Sequence, residues 1–112
     1  MANALHDRLF APQARNDAPF LWLPDGRILS HSGFFALTGR FAAALAQRGV
    51  MAGDRVAAQT RKSAEALALY AACVRLGAIY LPLNTAYTPA EIAYFVNDAE
   101  PRLLVADQAA LA

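Results

Sequence analysis

The sequence predicts an α/β fold: part of a three-layer arrangement, with a short, mostly parallel sheet, crossover helices and an N-terminal hairpin. Three observations carry that expectation. Residues 53–83, GDRVAAQTRKSAEALALYAACVRLGAIYLPL, read as strand, helix, strand. A second helix and strand follow over residues 88–106, opened by a clear capping signal. Near the start, Asp25-Gly26 stands between two apolar runs, the pattern of a tight hairpin. A crossover helix between consecutive strands requires parallel pairing, because a short turn can join only antiparallel neighbours.

Residues 4–14 are expected to form a short amphipathic helix, with Leu5, Leu9 and Phe10 on one face and Pro12 ending it. Residues 15–19 read as a linker. Phe20-Leu21-Trp22-Leu23 and Ile28-Leu29 flank Pro24-Asp25-Gly26-Arg27 as a hairpin, which leaves Trp22 in need of a partner surface. Ser30 or Ser32 starts the first long helix. Phe34, Leu37, Phe41 and Leu45 recur within it at three- and four-residue spacing, and it runs to about Arg48. Gly49 ends it, and Arg48 suits the negative end of the helix dipole. Gly33 and Gly39 fall inside this helix, where each costs about 1 kcal/mol against alanine. Close packing of another element explains them best.

The central unit begins with a strand at about 55–59. Ser63 caps a helix over 64–76, and Gly77 fits the left-handed position that stops it. A strand at 78–82 ends at Pro82. The helix is apolar on almost every side, through Leu67, Leu69, Tyr70, Cys73, Val74 and Leu76, so protein should cover most of it. Thr88, Pro89 and Glu91 announce the next helix, over 89–98: a cap, a proline at the first helical position and a glutamate to complete the capping box. Leu103-Leu104-Val105-Ala106 reads as a third parallel strand. Asp107 then looks like a further helix cap, so the segment is expected to be part of something longer.

The 112 residues suffice for one domain, but 57% of them are apolar, against about 45–50% in soluble domains. Self-association through exposed apolar surface is therefore expected. Ten basic and nine acidic residues give a net charge of +1, which offers no electrostatic reason to bind nucleic acid or an anionic membrane. The longest apolar run, residues 66–74, is far short of the ~18–20 residues of a membrane span. The opening residues lack the basic and apolar regions of a secretory signal. A single cysteine, Cys73, excludes an intrachain disulfide and reads as a small buried hydrophobe. These features fit a cytoplasmic location.

Chemical motifs are few. GxGxxG and GxxxxGK[ST] phosphate loops are absent from the sequence. His6 and His31 have no serine, cysteine or carboxylate partner at a recognisable spacing, and no metal site is expected. Arg61-Lys62-Ser63 lies between a strand's carboxyl end and a helix start, where parallel sheets gather ligands and anions. It is the best phosphate-contact candidate, or else a solvated pair preceding a capped helix. Asn84, Thr85 and Tyr87 occupy the corresponding loop after the next strand, as contacts or as loop structure. No residue is assigned as catalytic or metal-binding, and cofactor-binding residues stay unassigned.

The segments GVMAGDRVA and KSAEALALYAACVRLGAIYLPLNTAYTPAEIAYFVNDAEPRLLV resemble the amino-terminal region of adenylate-forming acyl-CoA synthetases, over about residues 20–107. GDRVA and GA-YLPLN are shared across that superfamily. NTAYT followed by E--YF--DAEP is similar to malonyl-CoA synthetases of the bacterial type. The chain departs from the family at the first long helix, where His31 and Gly33 replace the aromatic and the reciprocal capping glutamate. The resemblance implies that residues 1–112 are the amino-terminal part of the large amino-terminal domain. The phosphate loop, the adenylate motifs and the carboxy-terminal domain would lie beyond it. It implies an ATP-dependent ligase of fatty-acid metabolism that makes an acyl-adenylate from malonate or another small carboxylate and passes the acyl group to coenzyme A, assisted by magnesium. This segment alone would bind none of these and would be inactive. The competing reading is a non-catalytic small α/β binding or structural module. An open frame with a glycine-rich phosphate loop after Ala112 would decide for the enzyme.

Overall fold

A computed structural model describes residues 5–106. The hairpin pairs β1 (Pro19–Trp22) with β2 (Ile28–Ser30), antiparallel. Helix α1 (His31–Gln47) leads to β3 (Arg55–Gln59), α2 (Ala64–Leu76), β4 (Ile79–Pro82), α3 (Pro89–Ala99) and β5 (Leu103–Ala106). The sheet order is β4-β3-β5, with both pairs parallel, so β3 is central. The α/β class, the hairpin and the short parallel sheet all match the expectation.

Alternation along β3 sets the layers. Val56 and Ala58 pack with Ala42 and Leu45 of α1 and with Leu69, Ala72 and Cys73 of α2. Ala57, between them, faces the other side, where Phe95, Val96 and Ala99 of α3 and Leu81 of β4 surround a cleft of about 270 Å³. A strand buried on both faces has to be short and apolar throughout, and Val-Ala-Ala meets that demand. The α3 layer is loose, since none of its residues is fully buried. A second cluster joins Phe34 of α1 to Ala68 and Ala71 of α2, with Phe10, Phe20, Leu21 and Leu29 against it. Helix α2 thus walls both clusters. It is less enclosed than its composition suggested, because Leu67 and Tyr70 are each 38% exposed on its outer side.

The helix ends follow the local chemistry. Ser63 Oγ accepts from Ala66 N at 3.0 Å, and the Thr88–Glu91 capping box is complete. Gly49 and Gly77 adopt positive φ, 87° and 74°. After each, the next amide reaches back five residues: Val50 N to Leu45 O and Ala78 N to Cys73 O. That double closure satisfies carbonyls that a helix end otherwise strands. Arg55 Nη1 donates to Ala99 O at 3.0 Å, a cation on the carboxyl end of α3.

The start of α1 lacks a reciprocal glutamate, yet its free amides are all taken. His31 N donates to Ala18 O, Ser32 N to Asn16 O and Gly33 N to Ser30 Oγ. Ser30, not Ser32, is the cap, and the linker at 15–19 supplies the missing acceptors. The two helix glycines have close neighbours, as expected. A Cβ at Gly33 would stand 3.1 Å from Leu29 Cδ1, and one at Gly39 3.2 Å from Arg75 Nη1.

The amino-terminal segment differs from expectation. A π turn at His6–Phe10 runs into a 3₁₀ turn at Ala11–Gln13, and Pro12 sits inside the latter instead of ending a helix. Proline lacks the amide that a continuing helix needs but tolerates the first turn of a new one. The expected cap at Asp107 and the residue at position 4 lie outside the described residues.

Gly77→Ala should cost about 1–2 kcal/mol through backbone strain alone, because its Cβ would meet only Ala52 at an ordinary 3.4 Å. Glu100 is the sole described non-glycine at positive φ, 49°. Glu100→Gly should therefore be neutral or stabilising, and urea midpoints of the two variants check both signs.

Candidate functional site

The parallel register brings the loops after β3 and β4 to one edge of the sheet. Their common support is Gln59, the last residue of β3 and nearly buried. Its Nε2 donates to Asn84 O at 3.1 Å and to Tyr87 O at 3.4 Å. Asn84 Oδ1 accepts from Ala86 N at 2.9 Å, closing an Asx turn. The Tyr87 ring stacks on Phe95 at 5.1 Å and 17°, which ties the loop to α3. Asn84 and Tyr87 are thus occupied in holding the loop, while Thr85 is exposed.

On the neighbouring loop, Arg61 and Lys62 are exposed ahead of the α2 start. They stand at the open carboxyl edge, where the helix dipole and their positive charge favour an anion. The Ser63 hydroxyl is committed to the cap, so it is not an activated nucleophile. Tyr80 hydrogen-bonds the Thr60 side chain beside this edge. Burial raises the phenol's pKa above its ordinary value, and the bond to Thr60 opposes that shift.

The other candidates lie elsewhere. His31 packs against Phe20, with ring centroids 4.5 Å apart, at the α1 start. His6 lies against Phe35 and Phe10. Burial, and then the Arg75 charge, lower its pKa below the usual imidazole value, with Asp7 opposing. Arg75 itself covers the Phe35 ring at 5.2 Å. Cys73 is fully buried, and desolvation pushes its thiol up to about 11, the state of an inert core thiol. Among the described residues no three His, Cys, Asp or Glu side chains group as a metal site. No described helix is long and apolar enough to cross a membrane.

Two residues escaped the sequence reading. Gln59 looked like the tail of a strand. Its signal was a lone amide closing an apolar run that is buried on both faces. Thr38, on the apolar face of α1, is 1% exposed, and its hydroxyl makes no hydrogen bond. It lines a cleft of about 240 Å³ with Phe10, Phe20, His31 and Phe34.

Among the described residues, the open parallel sheet carries a cationic loop at its carboxyl edge, the side at which doubly wound α/β sheets gather ligands, with no acid, base or nucleophile assembled there. The chain belongs to the AMP-binding enzyme family, which matches residues 10–112. It is 47% identical to MatB from Rhodopseudomonas palustris, over 97% of this chain and 22% of that one. The TM-score is 0.90 for the apo form and 0.91 for the ATP-bound form. It is 35% identical over 81 residues to the 3-hydroxybenzoate–CoA/4-hydroxybenzoate–CoA ligase of Thauera aromatica, covering 72% of this chain and 16% of the ligase. It is 34% identical over 91 residues to the oxalate–CoA ligase of Arabidopsis thaliana, covering 73% and 18%. The chain therefore spans less than a quarter of the length of each of these relatives. The resemblance read from GDRVA and GA-YLPLN holds at the level of the acyl-CoA ligase superfamily.

Gln59→Leu should remove both bonds to the 84–87 loop at a cost of about 1–3 kcal/mol. Amide exchange at Ala86 and Tyr87 should speed up while α2 stays protected. Unchanged exchange there would show that Gln59 does not hold the loop.

Proposed function

We propose that residues 1–112 are the amino-terminal part of the large amino-terminal domain of an ATP-dependent acid–thiol ligase, and that the complete enzyme activates malonate. In its first step a carboxylate oxygen attacks the α-phosphorus of ATP, giving an acyl-adenylate and releasing pyrophosphate. In the second the coenzyme A thiol attacks the acyl carbon, and AMP leaves with the electrons of the broken acyl–phosphate bond. Magnesium bound to ATP would offset charge in the first step. The single observation that carries the reading is the family match, together with the near-complete overlay on the MatB segment at 47% identity.

Malonate rests on finer support. The NTAYT and DAEP stretches resemble malonyl-CoA synthetases, and one relative is named for oxalate, another short dicarboxylate. Among the described residues no His, Cys, Asp or Glu cluster would hold magnesium, and no step is assigned to them. Their part is to form a fixed wall at the sheet's carboxyl edge. The nearly equal overlay on apo and ATP-bound MatB supports a segment that keeps its shape when nucleotide binds. Exposed Trp22, Ile28, Met51 and Tyr94 are read as surface that the complete enzyme covers and through which the isolated chain self-associates.

The lack of an assembled acid, base or nucleophile among the described residues also favours a second reading, a non-catalytic α/β module. A pyrophosphate-release assay with ATP, magnesium, malonate and coenzyme A separates them. Residues 1–112 alone should show no turnover. A full-length form should make malonyl-CoA and prefer malonate to acetate. Turnover by residues 1–112 would refute the division of labour. A full-length enzyme preferring long fatty acids would remove malonate and leave the ligase, and an inactive full-length form would support the module.

A further inference from the structure

We infer that the cleft walled by the amino-terminal turns, β1 and the first half of α1 is a binding site for a small neutral phenol or aromatic alcohol. It shares no lining residue with the loops of the sheet's carboxyl edge.

Size and lining set the body of the ligand. The cleft measures about 240 Å³. An apolar cavity of about 150 Å³ suffices for benzene, so this space takes one ring with a short substituent. Phe10, Phe20, Phe34 and Phe35 all line it. Phe20 meets Phe34 edge-on, with centroids 5.0 Å apart, and His31 lies against the same Phe20 ring at 4.5 Å. Rings fixed at such angles present both faces and edges, the surfaces on which a further aromatic ring packs best. Among the described residues no Asp, Glu, Lys or Arg lines the cleft. A carboxylate or phosphate would lose its water there without a fixed counter-charge, so the ligand is neutral.

Thr38 sets the polar end. It lines the same cleft, its side chain is buried, and its hydroxyl makes no hydrogen bond. A helical threonine can bond a carbonyl one turn back, but this one leaves both its donor and its acceptor capacity unused. Leaving a buried hydroxyl unmet is costly. A ligand hydroxyl, donor and acceptor at once, matches it. Water alone fits less well, because a buried water needs several polar partners and most of this lining is apolar.

The test titrates 4-fluorophenol and 4-fluorotoluene against the full-length protein, followed by fluorine NMR. 4-Fluorophenol should bind about 10-fold more tightly. Thr38→Val should abolish that preference and leave 4-fluorotoluene binding unchanged, whereas Thr38→Ser, which keeps the hydroxyl, should retain it. Malonate and AMP together should displace neither probe. Thr38→Val should also leave the melting temperature unchanged or raised, since it removes an unmet hydroxyl and keeps the shape. Equal affinities before substitution, a preference that survives Thr38→Val, displacement by malonate and AMP, or no binding of either probe at millimolar concentration would each overturn the inference. So would a lower melting temperature for Thr38→Val, which would mean that the hydroxyl already has a partner. Neither probe carries a carboxylate, so the result stands apart from the malonate assay.

Discussion

Everything in this segment depends on how closely α2 approaches its neighbours. Ala68, Ala71 and Ala72 are each fully buried, and so is Cys73. Small side chains on two flanks of one helix let α1 and the hairpin cluster close on one flank and β3 on the other. In a close-packed interior such positions have no spare volume. The same logic runs through α1, where Gly39 gives the Arg75 guanidinium room to lie across the helix and over Phe35. The approach sets where β3 lies, and β3 sets where both loops of the sheet edge emerge.

The ends of the helices are held by polar chemistry that costs little burial. Amides at the α1 start are taken by Ala18, Asn16 and Ser30, and the carbonyl end of α3 by Arg55. At α1 these contacts fix the end of a helix that the core already grips, and at α3 they position one that it does not. Helix α3 shows the contrast: it has a complete capping box but no fully buried residue, so its placement rests on its ends, on Tyr87 stacking and on a partly filled cleft.

Much of the fold was legible because local signals agreed with one another. Ser63 and Gly77 bracket α2 at the observed ends, and Thr88-Pro89-Glu91 starts α3 where it was expected. What misled was context. The apolar periodicity of residues 4–14 reads as one helix, but Pro12 splits it into π and 3₁₀ turns. The all-round apolarity of α2 reads as cover over most of the helix, and Leu67 and Tyr70 are the large apolar residues left open on its outer side. The site was less legible. Arg61 and Lys62 stand at the sheet edge as their position implied, whereas Gln59 holds the facing loop through contacts 25 and 28 residues away in the chain. No periodicity encodes such a contact; it follows only from strand register.

Native-state hydrogen exchange tests most directly whether α2 is the organising element. The amides of Ala68–Cys73 and Val56–Ala58 should exchange last, by global unfolding, with α3 and the hairpin opening earlier and independently. Protection of α3 equal to that of α2, or loss of α2 protection while α3 persists, would contradict it.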